Sequence, residues 1–206
     1  MRVVAVVAVT GMLAMGVMAP ALADTLNGDS GDNRLRGSAG PDTINGRAGA
    51  DIVVGLSGRD RLHGGIGADR LVGGRHADFV LGGGGADRMQ GDRGPDTLFG
   101  DRGPDRIFGG GGRDELQDFT ATEFGADFPD NADTVHGGAG RDHIGVTDGR
   151  DRVFPGPGRD EVRLENDGVR DVIRCGPGRD VLRYFGARDR RDSVAGCERI
   201  VVVTFE

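Results

Sequence analysis

The sequence predicts an all-β fold: a parallel coil of short strands and glycine turns, finished by a C-terminal capping strand. Three observations predict it. A nine-residue template runs without a slip from Asp24 to Asp114, eleven times in succession. Glycine accounts for 40 of 206 residues, far above the ordinary ~7 %, and its spacing is not every third position, which excludes collagen. Apolar residues make up only 36 %, with no Trp, which suits the thin core of a stack of repeats better than a thick two-layer core.

The template is cleanest at Gly64-Gly65-Ile66-Gly67-Ala68-Asp69-Arg70-Leu71-Val72. Its acidic position holds Asp24, then Asn33, then Asp42, Asp51, Asp60, Asp69, Asp78, Asp87, Asp96, Asp105 and Asp114. Two residues after each stands a large apolar residue, from Leu26 and Leu35 through Leu71 and Val80 to Leu116. The glycines supply a turn, because they tolerate positive φ and let carbonyls point inward. The four residues from the acid onward supply a strand, whose alternation sends the apolar side chain in and its neighbours out. Two repeats then close one coil of eighteen residues, and every second turn stacks ~4.8 Å above the last.

Stacking sorts the acids into two rows. One holds Asp42, Asp60, Asp78, Asp96 and Asp114; the other holds Asp51, Asp69, Asp87 and Asp105. Carboxylates this close repel unless a cation lies between them. Calcium takes six to eight hard oxygens in flexible geometry, which stacked carbonyls and carboxylates can offer. Magnesium needs a tighter octahedron, and zinc needs Cys or His, whose spacing here is unsuitable. The competing reading of any single motif Asp is a turn-capping acid without metal.

The rest of the chain varies the theme. Gln117 to Ala132 interrupts the pattern with Phe119, Phe124, Phe128 and Pro129; it reads as a wider turn of the same stack, either covering the core edge or serving as a functional loop. The register resumes at Asp133, Asp142, Asp151 and Asp160, and shifts by two residues to Asp171 and Asp180. A last irregular turn lies near Asp192, and Ile200 to Phe205 reads as the closing strand. Caps are needed because an open sheet edge recruits other chains. Met1 to Ala23 reads as a signal peptide, with Arg2, an apolar run and Ala21-Leu22-Ala23 before the cleavage point; a retained anchor is the alternative. No other stretch is suited to crossing a membrane. Cys175 and Cys197 are expected to pair in an oxidising compartment, two free buried thiols being the alternative. The expected divisions are a leader over 1–23, regular repeats over 24–116, an interruption over 117–132, and degenerate repeats with a cap over 133–206.

These motifs resemble the RTX, or haemolysin-type calcium-binding, repeat family over nearly all of the chain after the leader. The resemblance implies a right-handed parallel β-roll with calcium as its cofactor, held between turns on the same side by motif aspartates and turn carbonyls. Carried onto this chain, Gly64, Gly65, Gly67 and Asp69 pair with Gly82, Gly83, Gly85 and Asp87. Gly109, Gly110, Gly112 and Asp114 pair with Gly91, Gly94 and Asp96. The later turn ending in Asp142 is also complete. The family often carries Asn or Asp before the motif acid, whereas Arg59, Arg113, Arg141, Arg150, Arg159 and Arg179 stand there in this chain. A guanidinium beside the carboxylate could replace the ion with an ion pair, so the first half is the main expected calcium region.

The formal charge of -7 suits divalent cations, and the interspersed acids and arginines suggest no basic patch for nucleic acid. The leading expectation is a secreted, extracellular structural or cell-surface protein that calcium folds or stabilises. A module binding polysaccharide or another surface ligand is the alternative, through Arg34, Arg70, Arg88 and Arg106 or the Phe-rich interruption. The other reading of that row is a solvated face balancing the acids. An enzyme ranks last, because His63, His76, His136 and His143 have no base or nucleophile partner in the pattern.

Overall fold

A computed structural model describes residues 23–118, 132–147, 149–165 and 167–204. The expected leader lies outside them except for Ala23, as do residues 119–131 of the interruption. The described residues form two parallel sheets, sheet A of ten strands and sheet B of nine, with the chain alternating between them. Arg61–Ile66 and Phe79–Gly84 lie in sheet A, for example, and Arg70–Arg75 between them lies in sheet B.

Each coil stacks in strict register on the next. In sheet A, Ile44, Leu62, Val80 and Leu98 are successive partners. In sheet B the sequence is Leu35, Val53, Leu71, Met89 and Ile107. These residues are 0–1 % exposed and fill the narrow space between the sheets. Burying each contributes on the order of 1.5–3 kcal/mol, which is how a thin core holds a solenoid together. The backbone ladder starts at the motif acid itself: the Arg70 N–H donates to the Asp51 carbonyl at 2.8 Å, and the Arg88 N–H to the Asp69 carbonyl at 2.8 Å.

Turn geometry explains two of the three motif glycines. Gly65 and Gly67 have φ of 115° and 138°, in the left-handed region. Where glycine is missing the conformation persists, with Arg47 at 79° and Leu56 at 87° in the second motif position and His76 at 81° in the fourth. Stacking imposes the turn even on residues that resist it.

The interruption enlarges one coil and leaves the stack intact. Ile107 partners Val135, and the Asp105 N–H donates to Asp133 Oδ1 at 2.6 Å, across 28 residues where 18 is usual. The expected two-residue shift follows: the Asp151 N–H donates to Asp171 Oδ1 at a separation of 20. Arg199–Val203 forms the last strand, parallel to Val181–Phe185. It closes the chain's last coil yet leaves Ile200 and Val202 38 % and 45 % exposed. Cys175 and Cys197 form the expected disulfide, with Cα atoms 5.1 Å apart.

Candidate metal centres between stacked turns

Every motif aspartate from Asp42 to Asp180 is at most 3 % exposed. One oxygen of each is committed to the coil below. The backbone N–H of Asp51 donates to Asp69 Oδ1 at 2.8 Å, that of Asp69 to Asp87 Oδ1 at 2.8 Å, and that of Asp78 to Asp96 Oδ1 at 2.9 Å. The pattern continues past the interruption, with Asp114 donating to Asp142 Oδ1 at 3.0 Å and Asp142 to Asp160 Oδ1 at 2.9 Å. The two predicted rows are thus real ladders.

The second oxygen is the informative one. Oδ2 of Asp51, Asp60, Asp69, Asp78, Asp87, Asp96, Asp105 and Asp114 is buried without a hydrogen-bond donor. So is Oδ2 of Asp142, Asp160 and Asp180. A buried acceptor left unpaired costs about 1–3 kcal/mol, more when charged. A repeated set of such oxygens suits a bound cation. The surroundings fit a hard cation. A methyl placed on Gly64 would meet Asp69 Oδ2 at 2.4 Å and the Gly82 carbonyl oxygen at 2.6 Å. On Gly91 it would meet Asp96 Oδ2 at 2.4 Å and the Gly109 carbonyl at 2.6 Å. On Gly109 it would meet the Gly137 carbonyl at 2.5 Å and Asp114 Oδ2 at 2.6 Å. The first motif glycine therefore keeps open a space toward which a carboxylate of its own coil and a carbonyl of the next both turn.

Electrostatics point the same way. Desolvation pushes Asp69 up to about 6 and Asp78, Asp87 and Asp96 up to about 7. Asp105, more deeply placed, rises to about 9, and neighbouring aspartates add to each shift. Burial thus raises the cost of ionising these carboxyls, a cost that a cation beside them would offset. Among the described residues no three Asp, Glu, His or Cys side chains converge as a metal cluster. An ion here would thus take its oxygens from carbonyls and one or two carboxylates, a hard oxygen set suited to calcium.

The predicted residues do not all behave alike. Gly64, Gly65, Gly67 and Asp69 stack under Gly82, Gly83, Gly85 and Asp87 as expected, with Gly65 in register with Gly83. The turn of Gly109, Gly110, Gly112 and Asp114 stacks over Gly91 and Asp96, with Gly110 in register with Asp92. Asp42 departs, because the Ser38 N–H reaches its Oδ2 at 2.6 Å and fills that oxygen's need from within the chain. The arginines before the motif acids do not form the ion pairs considered above. All six side chains are exposed, and Arg141, Arg159 and Arg179 contribute backbone N–H groups to the carbonyls of Gly112, Gly140 and Gly158. Aspartates with a donor-less Oδ2 therefore continue along one side of the C-terminal half through Asp142, Asp160 and Asp180, but only the Asp142 turn keeps the opening glycine, Gly137, where the next two carry Pro155 and Cys175.

On the other side they stop. There the first motif position holds Val146, Leu164 and Tyr184, in register with one another and 0–1 % exposed. Their side chains fill the space that glycine leaves open elsewhere. Loss of the Gly-Gly start at Val146-Thr147 was the available signal. Two participants escaped the repeat pattern. The Asp118 carbonyl takes the place of the next turn's glycine carbonyl, 3.1 Å from a methyl on Gly100, and accepts from the Asp101 N–H at 2.9 Å. Glu198 ends one ladder, accepting from the Asp180 N–H at 2.6 Å.

An all-parallel β-solenoid with aspartate ladders facing carbonyl-lined turns defines the class of calcium-binding β-rolls. The family model of the RTX calcium-binding nonapeptide repeat matches the chain four times, over residues 27–62, 54–89, 81–116 and 130–162. These matches cover more than half of the chain, which belongs to that family and binds calcium. No curated protein matches the chain.

Proposed function

We propose that this protein is a secreted β-roll whose stacked turns bind extracellular calcium and depend on it for stability. The ions are assigned between same-side turns, at Asp51, Asp69, Asp87 and Asp105 on one side and at Asp60, Asp78, Asp96 and Asp114 on the other. Asp142 continues the second row. The observation that carries this is the ladder of buried Oδ2 atoms without donors. Binding free energy would become folding free energy, because the site does not exist in the unfolded chain. The role is structural or at a cell surface rather than catalytic. His136, for instance, is stacked between Phe108 and Phe154, and burial lowers its pKa. Far-ultraviolet circular dichroism in calcium and in EDTA tests the reading. β-Structure that appears on adding calcium supports it; a spectrum and melting curve unmoved by EDTA would overturn it. Export is tested separately, by sequencing the N-terminus of protein recovered from culture medium, where a start at Asp24 is expected. The alternative of a module binding polysaccharide or another surface ligand uses the same scaffold, and sheet B offers it a cationic face.

A further inference from the structure

We infer that the outer face of sheet B binds an acidic polysaccharide carrying a negative group on each sugar. This deepens the surface-ligand alternative and does not require calcium to touch the ligand. Along the sequence, acids and arginines alternate; the eighteen-residue coil sorts them. The first outward position of successive sheet B strands reads Arg34, Ile52, Arg70, Arg88, Arg106, Thr134 and Arg152. The next outward position adds Arg36 and Arg174, and neither position holds an acid. These arginines are exposed, and among the described residues none is in an ion pair. The nearest acid on these strands, Asp92, lies at the turn end and accepts a hydrogen bond from Gln90. Sheet A differs: Glu161 there accepts from Arg183 at 2.8 Å and from Arg163 at 3.4 Å.

Arg70, Arg88 and Arg106 are direct cross-strand partners, one strand spacing (~4.8 Å) apart. Like charges directly opposite in a sheet destabilise it. A chain with net charge -7 has acids to spare, yet among the described residues none is ion-paired with this row. A polymer with regularly spaced carboxylates would relieve it, since guanidinium forks match carboxylates bidentately. The neighbouring column argues against other polyanions. His136 has Phe108 on one face and Phe154 on the other, at 5.0 and 4.7 Å, and the Arg88 guanidinium lies 4.6 Å over Phe108. With those ring faces occupied, single-stranded nucleic acid lacks the stacking platform it uses. Among the described residues, the large exposed apolar ones, Ile66, Phe79, Ile200 and Val202, all belong to sheet A, and none stands on this face as a wedge for a membrane.

The test uses the full protein folded in calcium, with polygalacturonate as the carboxylated probe and dextran sulfate as the sulfated one. Binding is followed by biolayer interferometry across a sodium chloride series. Expected are binding to at least one probe that weakens as salt rises, and a loss of at least tenfold in R70Q/R88Q/R106Q. The sheet A control R61Q/R163Q/R183Q should stay within twofold. Because the triple change removes repulsion, its melting temperature should not fall; if it does, the single variants R70Q and R106Q are compared instead. No binding to either polysaccharide by folded protein, equal binding by the triple variant, or tighter binding to oligo(dT) or to phosphatidylserine vesicles would overturn the inference. Each of these outcomes is read on protein already shown to be folded, so it stands apart from a failure of calcium to fold the chain.

Discussion

At the scale of single residues, the same glycine letter does two different jobs. Gly64 is needed for what its missing Cβ leaves empty, since a methyl there would crowd Asp69 Oδ2 and the Gly82 carbonyl. Gly64→Ala should therefore weaken calcium binding at that turn and cost about 2 kcal/mol through overpacking, measured by calcium titration and urea unfolding. Leu56 is the converse. It holds a φ of 87° in a position where other repeats carry glycine. Leu56→Gly should raise stability by about 1 kcal/mol in calcium by removing left-handed strain, a gain readable in the same urea experiment. A drop in stability would mean that the lost Leu56 side chain packs for more than its backbone costs.

At the scale of an element, the two sides of the solenoid part company after the interruption. One side keeps glycine, proline or cysteine at the first turn position and keeps donor-less aspartates; the other replaces the opening with Val146, Leu164 and Tyr184. Leu164→Ala should cost about 3 kcal/mol as a core cavity and leave the number of bound calcium ions unchanged, whereas Asp87→Asn should lower that number. Isothermal titration separates the two. The disulfide closes a loop over a sequence separation of 22, and reducing it should cost roughly 3 kcal/mol, seen as a lower denaturation midpoint in dithiothreitol. The coil and its two acid rows were legible in the sequence, because strict nine-residue spacing translates directly into register. The fate of the later turns was less so. Arg141, Arg159 and Arg179 look in sequence like rivals of the ion, but at the turns their side chains are exposed to solvent while their backbone N–H groups bond the preceding coil. The arginine row of sheet B was legible as well, since it recurs at a period of eighteen; the lack of an acid in either outward column beside it emerged only from the register.

Across the whole molecule, the buried carboxyls tie stability to pH, and calcium sets the sign. In the folded, metal-free chain Asp69 is raised to about 6 and Asp78, Asp87 and Asp96 to about 7, from an ordinary value of 3.8. The folded state then holds more protons than the unfolded one. Its stability from these groups is full below pH 4 and lost as pH rises toward 7. In EDTA the melting temperature should therefore fall between pH 4 and 7. In saturating calcium it should rise over that interval, because the ion needs the ionised form. Parallel slopes under both conditions would contradict this account.

The enlarged coil also gives the molecule a mechanical signature. Pulled from its ends, a stack of coils yields one rung at a time, and each rung of eighteen residues would pay out roughly 60 Å of contour. The rung from Asp105 to Asp133 spans 28 residues and should pay out about half as much again, a single long step among uniform ones. The segment between Cys175 and Cys197 should yield nothing until reduced. Optical-tweezer traces would show the rungs as a ruler with one outsize mark, and adding calcium should raise the force at each mark without moving it.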